Sequence, residues 1–398
     1  MTKKSKNWTR VIADLTPATI RNYTQAVTLF EECIGKSMDE LIDIALQEQD
    51  ERVAEHKLSI YDWILEYRSH LIQEGRVASG VNKYVTLIKT VFKKSRVRIP
   101  YIPQMSEINA KHNPVITFED YLTKEEIKNA IPYLPLIQQA RAMAMVTGGL
   151  SNDECASLKT REHFIEPLRK YHKCDDDIEA LRWLAESDNV LWIVCIKRGK
   201  TGKPFYAIMN PETVSLTARA KLQDKNSKTE YLYPTTKDYF GQCCRKVNTK
   251  LGLGSAGGKT RFRPHMLRKF NATAIRGNYH LGDNGLHPSQ IDELQGRGMT
   301  SVQSTYIKSN PIKQKFLYCQ VINNVSLWHK YGFKVIDDDV ELFVVDDELE
   351  NQKLKKENQK LQEKLEVSED IKEDVKSLIA DKGIDEVAGI IAELLKAS

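Results

Sequence analysis

No stretch of this sequence approaches the roughly 18 consecutive apolar residues that a membrane-spanning helix needs. Its first residues, MTKKSKNWTR, carry charge with no apolar segment behind them. The expectation is a protein of the cytoplasm with no membrane partner. Paired cysteines are also missing. The seven cysteines, at 33, 155, 174, 195, 243, 244 and 319, form no CxxC pair, and the adjacent Cys243 and Cys244 suit a zinc ligand set poorly. Reduced, mostly buried thiols are expected. His172 with Cys174, and His280 with His287, lack third and fourth ligands at convincing spacing and read as loop or surface residues. No metal and no cofactor is therefore expected. A phosphate loop is lacking too, because GLGSAGGKT (252–260) has Leu253 where the first glycine would stand. It reads as a mobile loop before the next helix. Strong net charge is absent: a formal +5 permits an acidic polymer as partner without requiring one, so the distribution of charge decides.

The 398 residues, 41% of them hydrophobic, suffice for two domains and an extension. Thr16-Pro17 is a good cap and first-turn pair, and Ile20, Tyr23, Val27 and Phe30 follow at helical steps. Ser59 is expected to cap a helix bearing Ile60, Trp63, Ile64, Tyr67 and Leu71, and Ser79 one bearing Tyr84, Ile88, Val91 and Phe92. Residues 1–100 thus read as an all-helical bundle. Its last helix ends in Lys89, Lys93, Lys94, Arg96 and Arg98 with no acidic residue to offset them. Cations arrayed this way are either a solvated helix end or an edge that follows a phosphate backbone. Pro100, Pro103 and Pro114 mark residues 101–117 as a linker.

A second domain is expected over 118–336, mainly α with a small β-sheet. Helical patterns cover Lys124–Ile131 and Leu136–Val146, and Leu191–Met209 reads as two strands around a Gly- and Lys-rich turn. From 337 to 398 acid and lysine dominate. Asn351, Leu354, Asn358, Leu361 and Leu365 make a short a/d seam, which suits either a parallel coiled coil or a helix folded back on its own domain. The segment Ile371–Leu395 adds an apolar stripe suited to assembly.

The most specific stretch is RFRPHMLRKFNAT (261–273). His265 and Arg268, three apart on a helix begun at Pro264, can reach one anion together. Tyr306 follows in GRGMTSVQSTYIKSNP, nine residues after Arg297. Upstream, IKRGKTGKPFYAI places Lys200 and Lys203 in the expected hairpin turn. In this order the residues resemble the tyrosine recombinases (phage integrases) over roughly residues 15 to 320.

That resemblance implies an N-terminal helical core-binding (SAM-like) domain, a mixed α/β catalytic domain and, in this chain, a helical tail. It implies Tyr306 as nucleophile, His265 and Arg268 as the His-x-x-Arg pair, and Lys200 as the acid for the leaving 5′-oxygen, with Lys203 as second choice. Arg297 fills the place of the family's second histidine, as in archaeal virus and plasmid integrases. Lys89, Lys93, Lys94, Arg96, Arg98, Lys203 and Arg263 are candidates for holding DNA. The partners implied are double-stranded DNA and further copies of the chain, a dimer on each core site and a tetramer at synapsis, with no small-molecule cofactor. The role implied is integration or excision of a mobile element. One position departs: in TGGLSNDECASL, Glu154 fits but Ser151 stands where the family has its first arginine. Either another cation such as Arg141 or Arg161 enters the pocket, or the enzyme is weakened or inactive. The rival expectations are a degenerate DNA-binding protein of the same fold and an assembly protein organised by its C-terminal helices.

Overall fold

The computed structural model describes residues 11–102, 116–198, 202–224, 230–277, 285–297, 310–336 and 339–345. The chain divides into two compact units, Met1–Ile116 and Thr117–Ser398. The prolines at 103 and 114, the seam at 351–365 and the stripe at 371–395 lie outside the described residues.

The first unit is built from α1 (Pro17–Ile34), α2 (Met38–Asp50), α3 (Ser59–Gln73) and α4 (Ala78–Lys94). Thr16 caps α1 by accepting the Thr19 amide at 3.4 Å, and a reciprocal pair, Ser37 with Glu40, opens α2. Two expected caps fall inside their helices. Ser59 is the first residue of α3 and gives its amide to Glu48 at 3.0 Å, while α4 begins at Ala78 with Val77 in the cap position. At the centre, Phe30 meets Tyr67 and Phe92 edge-on at 5.1 and 6.0 Å, and the Tyr67 hydroxyl donates to the Ala26 carbonyl at 3.1 Å. Ile102 is buried in the same core.

The second unit has α5 (Lys124–Ala130), α6 (Leu136–Gly148), α7 (Asn152–Ser157), α8 (Asp177–Glu186), α9 (Pro211–Gln223) and α10 (Lys237–Lys250). These are followed by α11 (Pro264–Arg276), α12 (Pro288–Leu294) and α13 (Pro311–Val325). Three antiparallel pairs complete it: β1 (Trp192–Lys197) with β2 (Pro204–Met209), β3 (Ser255–Ala256) with β4 (Lys259–Thr260), and β5 (Tyr331–Ile336) with β6 (Asp339–Val344). The architecture is mainly α with small antiparallel sheets. The β5–β6 pair spans the 336–337 boundary at which composition shifts, and Val340 and Leu342 are buried in a core shared with α13. No described helix is long and apolar enough to cross a membrane.

Helix α6 is the axis of this unit, buried at every residue from Ala140 to Gly148, and α9 and α11 pack along it. Its last carbonyls are claimed by neighbours. Asn271 on α11 donates to Val146 and Thr147, both at 2.9 Å, and Tyr318 on α13 donates to Thr147 at 3.1 Å. Gly149 follows with φ 63°, and a Cβ there would lie 2.4 Å from the Asn271 amide oxygen. Gln295, just after α12, donates to that same oxygen at 2.6 Å. The ends of α6 and α12 are thereby fixed against α11.

Candidate active site

Helix α11 carries the densest chemistry. Its start is set by the Phe262 amide, which donates to Asn248 at 2.7 Å, and by Pro264 in the first turn. The glycine-rich segment before it is the β3–β4 hairpin. Arg263 folds over that hairpin, donating to the Ala256 and Lys259 carbonyls at 3.3 Å and to the Thr260 carbonyl. The guanidinium of Arg263, one of the DNA-contact candidates, is thus engaged by backbone.

One turn into α11, Arg268 is buried. Its Nη1 donates to Glu154 at 2.8 Å and its Nη2 to the Gln295 carbonyl at 2.8 Å. Burial lowers its basicity, Arg198 and Arg297 add to that, and Glu154 opposes it. Glu154 is only 4% exposed and serves two masters: the oxygen that receives Arg268 also accepts the Ser151 amide at 2.7 Å. The Glu154 amide in turn donates to the Ser151 hydroxyl oxygen at 3.2 Å. Ser151 is therefore the cap of α7, which gives a local reason for serine at this position.

His265 is exposed at the head of α11. Desolvation by the atoms packed around it, then the charges of Lys269, Arg263, Arg268 and Arg297, hold its imidazole below the usual range, so it is neutral at pH 7. Arg297 is exposed, 3.7 Å from Asp292, and its amide donates to the Asp292 carbonyl at 2.7 Å.

A cation that sequence reasoning passed over completes the group. Arg198, at the end of β1, donates from Nη1 to the Gly296 carbonyl at 2.5 Å. Arg198 and Arg268 thus hold consecutive carbonyls, Gly296 and Gln295. Gly296 has φ 59°, and a Cβ there would lie 2.4 Å from the Phe205 ring, so this approach admits only glycine. The turn after Arg198 is closed by Arg198 N to Lys203 O at 2.9 Å and Gly202 N to Arg198 O at 2.8 Å, with Lys203 exposed. Lys200 and Tyr306 lie outside the described residues.

The two cations considered for the place of Ser151 are occupied elsewhere. Arg141 is fully buried, donates to Thr235 at 3.1 and 3.2 Å and to the Asn152 carbonyl at 2.9 Å, and packs over Phe240. Arg161 pairs with Glu166 at 3.0 Å. In the first unit, Lys89 is half-buried while Lys93, Lys94, Arg96 and Arg98 are exposed. Lys94 donates to the Val11 carbonyl at 2.9 Å, and Lys89 and Lys93 line a cavity of about 550 Å³ beside Tyr101, which is 83% exposed.

No protein-family model matches the chain, and no curated protein matches it. Among solved structures it is similar to XerA recombinase, at 18% identity over 79% of this chain and 98% of that one, with a TM-score of 0.33. It is similar to a lambda integrase dimer bound to a COC′ core site, at 11% identity over 75% and 74%, with a TM-score of 0.48. It is also similar to XerH site-specific recombinase bound to difH, at 14% identity over 73% and 76%, with a TM-score of 0.45. At such identities and scores, the residues of the site carry the functional reading and the likeness does not.

Proposed function

We propose that this protein is a tyrosine-type site-specific DNA recombinase that cleaves and rejoins DNA through a 3′-phosphotyrosyl intermediate. The observation that carries the reading is the convergence of Arg198, Arg268 and Arg297 with the neutral His265 around the Gln295–Gly296 turn, with Tyr306 nine residues after Arg297 in the sequence. Attack on a phosphodiester gathers negative charge on the non-bridging oxygens, and fixed guanidinium groups are suited to hold them.

In this reading Tyr306 attacks the scissile phosphorus, its hydroxyl proton passing to a nearby base for which the neutral His265 is suited. The bond to the 5′-oxygen breaks, and Lys200 supplies the proton that this oxygen takes. The phosphotyrosyl ester keeps the bond energy, so a 5′-hydroxyl from a partner strand reverses the step and restores the tyrosine. Arg198 is the cation we assign to the charge that Ser151 does not provide. Lys89, Lys93 and the exposed Tyr101 give the first unit an edge suited to a duplex. Strand exchange between two duplexes needs four cleavages, so in this reading protomers bind core sites as dimers and synapse as a tetramer. Movement of a mobile element is the biological role that fits.

The capping role of Ser151 favours one second reading, a protein of this fold that holds DNA without cutting it. A strand-exchange assay on two labelled duplexes that carry the junctions flanking the gene separates the two. A recombinant product absent with Tyr306→Phe supports the enzyme. Specific binding with no recombinant supports the second reading.

A further inference from the structure

Between α7 and α8 the chain passes through a turn of π-helix at Thr160–Ile165 and then the segment YHKCDDDIEALRW (171–183). In sequence, His172 and Cys174 are a pair without company. In the structure Glu179, from the first turn of α8, joins them, and the His172 nitrogen, the Cys174 sulfur and the Glu179 carboxylate oxygen all lie within 4.8 Å of one another. We propose that His172, Cys174 and Glu179 bind one zinc ion, with water as the fourth ligand.

Three observations independent of the ligand identities support the site. First, His172 and Glu179 stand at ion-pair distance, 3.7 Å, without a hydrogen bond between them, and the Cys174 thiol makes a 3.6 Å contact to the Asp176 carbonyl that an ion would replace. Zinc bonds of about 2.0–2.3 Å in a tetrahedron put donors about 3.3–3.7 Å apart, so closure needs a shift of only about 1 Å. Second, the His172 donor is held by a side chain that is itself anchored against the core of the unit. The His172 ring stacks on Trp183 with centroids 5.0 Å apart and planes 8° apart, and Trp183 is four residues beyond Glu179, on the same face of α8. Third, the loop backbone is already pinned. Arg169 donates to the Cys174 carbonyl, to the Asp175 carbonyl at 3.3 Å and to the Asp177 carboxylate, and Asp176 caps α8 through the Ile178 and Glu179 amides. The site is thus preorganised before any ion arrives.

A set of one imidazole nitrogen, one thiolate and one carboxylate suits zinc better than calcium or magnesium, which take oxygen. Binding would release the Cys174 proton to solvent and clasp residues 172–174 to α8. The inference does not depend on the recombinase reading, since none of these residues belongs to the α11 cluster.

Cobalt(II) titration of the chelator-stripped full chain tests it. The expected result is one cobalt per chain, with visible bands of tetrahedral geometry and a thiolate-to-cobalt charge-transfer band, all removed by added zinc. Cys174→Ser should abolish the charge-transfer band, and His172→Ala and Glu179→Gln should each weaken zinc binding at least about tenfold. Zinc should raise the melting temperature of the wild type and not of the variants, and equal melting temperatures in chelator would establish that the variants fold. A charge-transfer band that survives Cys174→Ser, or cobalt bound without saturation, would overturn the proposal. The exposed Cys195 would then be the first thiol to examine.

Discussion

Arg268 and Glu154, 114 residues apart in the chain, form an ion pair at 2.8 Å that is almost closed to solvent on both sides. The same carboxylate oxygen closes the cap of α7 at Ser151. This pair couples the start of α7 to the centre of α11. Breaking one side of a buried pair leaves a charge without compensation and costs about 3–5 kcal/mol. Glu154→Gln is therefore expected to lower unfolding stability by about 3 kcal/mol in urea titration. Arg268→Lys, which keeps the charge and loses the two-pronged contact, should slow DNA cleavage on the order of 10²-fold while leaving DNA binding in place.

Gly296 has no room for a side chain. Its φ of 59° is strained for any other residue, and an added Cβ would overlap Phe205. Gly296→Ala should destabilise the second unit by about 2 kcal/mol and displace the carbonyl that holds Arg198. Its cleavage rate should fall together with that of Arg198→Ala, whereas Arg141→Lys and Arg161→Ala should change stability and leave the chemistry of the folded protein unaltered.

His265 offers a test by titration. Desolvation and the cations Lys269, Arg263, Arg268 and Arg297 hold its pKa down. Lys269→Gln should raise it, as read by NMR of the imidazole. Because the unfolded chain binds the proton more readily, stability should fall as pH drops below about 6.5, and the fall should be smaller in Lys269→Gln.

The basic edge of α4 predicts salt dependence. Lys93→Ala should flatten the slope of log K for DNA against log salt by about 0.9, the value for one phosphate contact. Lys94, already bonded to the Val11 carbonyl, should contribute less.

Local signals were legible in the sequence, and contacts across the chain were not. Thr16-Pro17, Pro264 and the strand pair around the glycine-rich turn follow from nearby residues alone, and their elements stand at Pro17–Ile34, at Pro264–Arg276, and at Trp192–Lys197 paired with Pro204–Met209. Ser59 and Ser79 failed as caps because Glu48 claims Ser59 and α4 starts one residue before Ser79. Arg198 was invisible because its partner, the Gly296 carbonyl, is 98 residues away, and the neighbouring Lys200 and Lys203 made an equally basic local pattern. Arg141 looked available because nothing in QQARAMAMVTG reports that Thr235 and Asn152 enclose it. The β5–β6 pair was hidden because the apolar alternation of each strand is short and a run of three aspartates follows Ile336 in the sequence.

The most direct measurement of the central claim is covalent capture. Incubated with a nicked suicide duplex covering the junctions that flank its gene, the protein should form an SDS-stable protein–DNA adduct. The adduct should vanish in Tyr306→Phe and be strongly reduced in Arg198→Ala, with restoration when Ser151→Arg is added to the latter. Specific binding to the duplex with no adduct from the wild-type chain would contradict the account and leave a protein that holds DNA without cutting it.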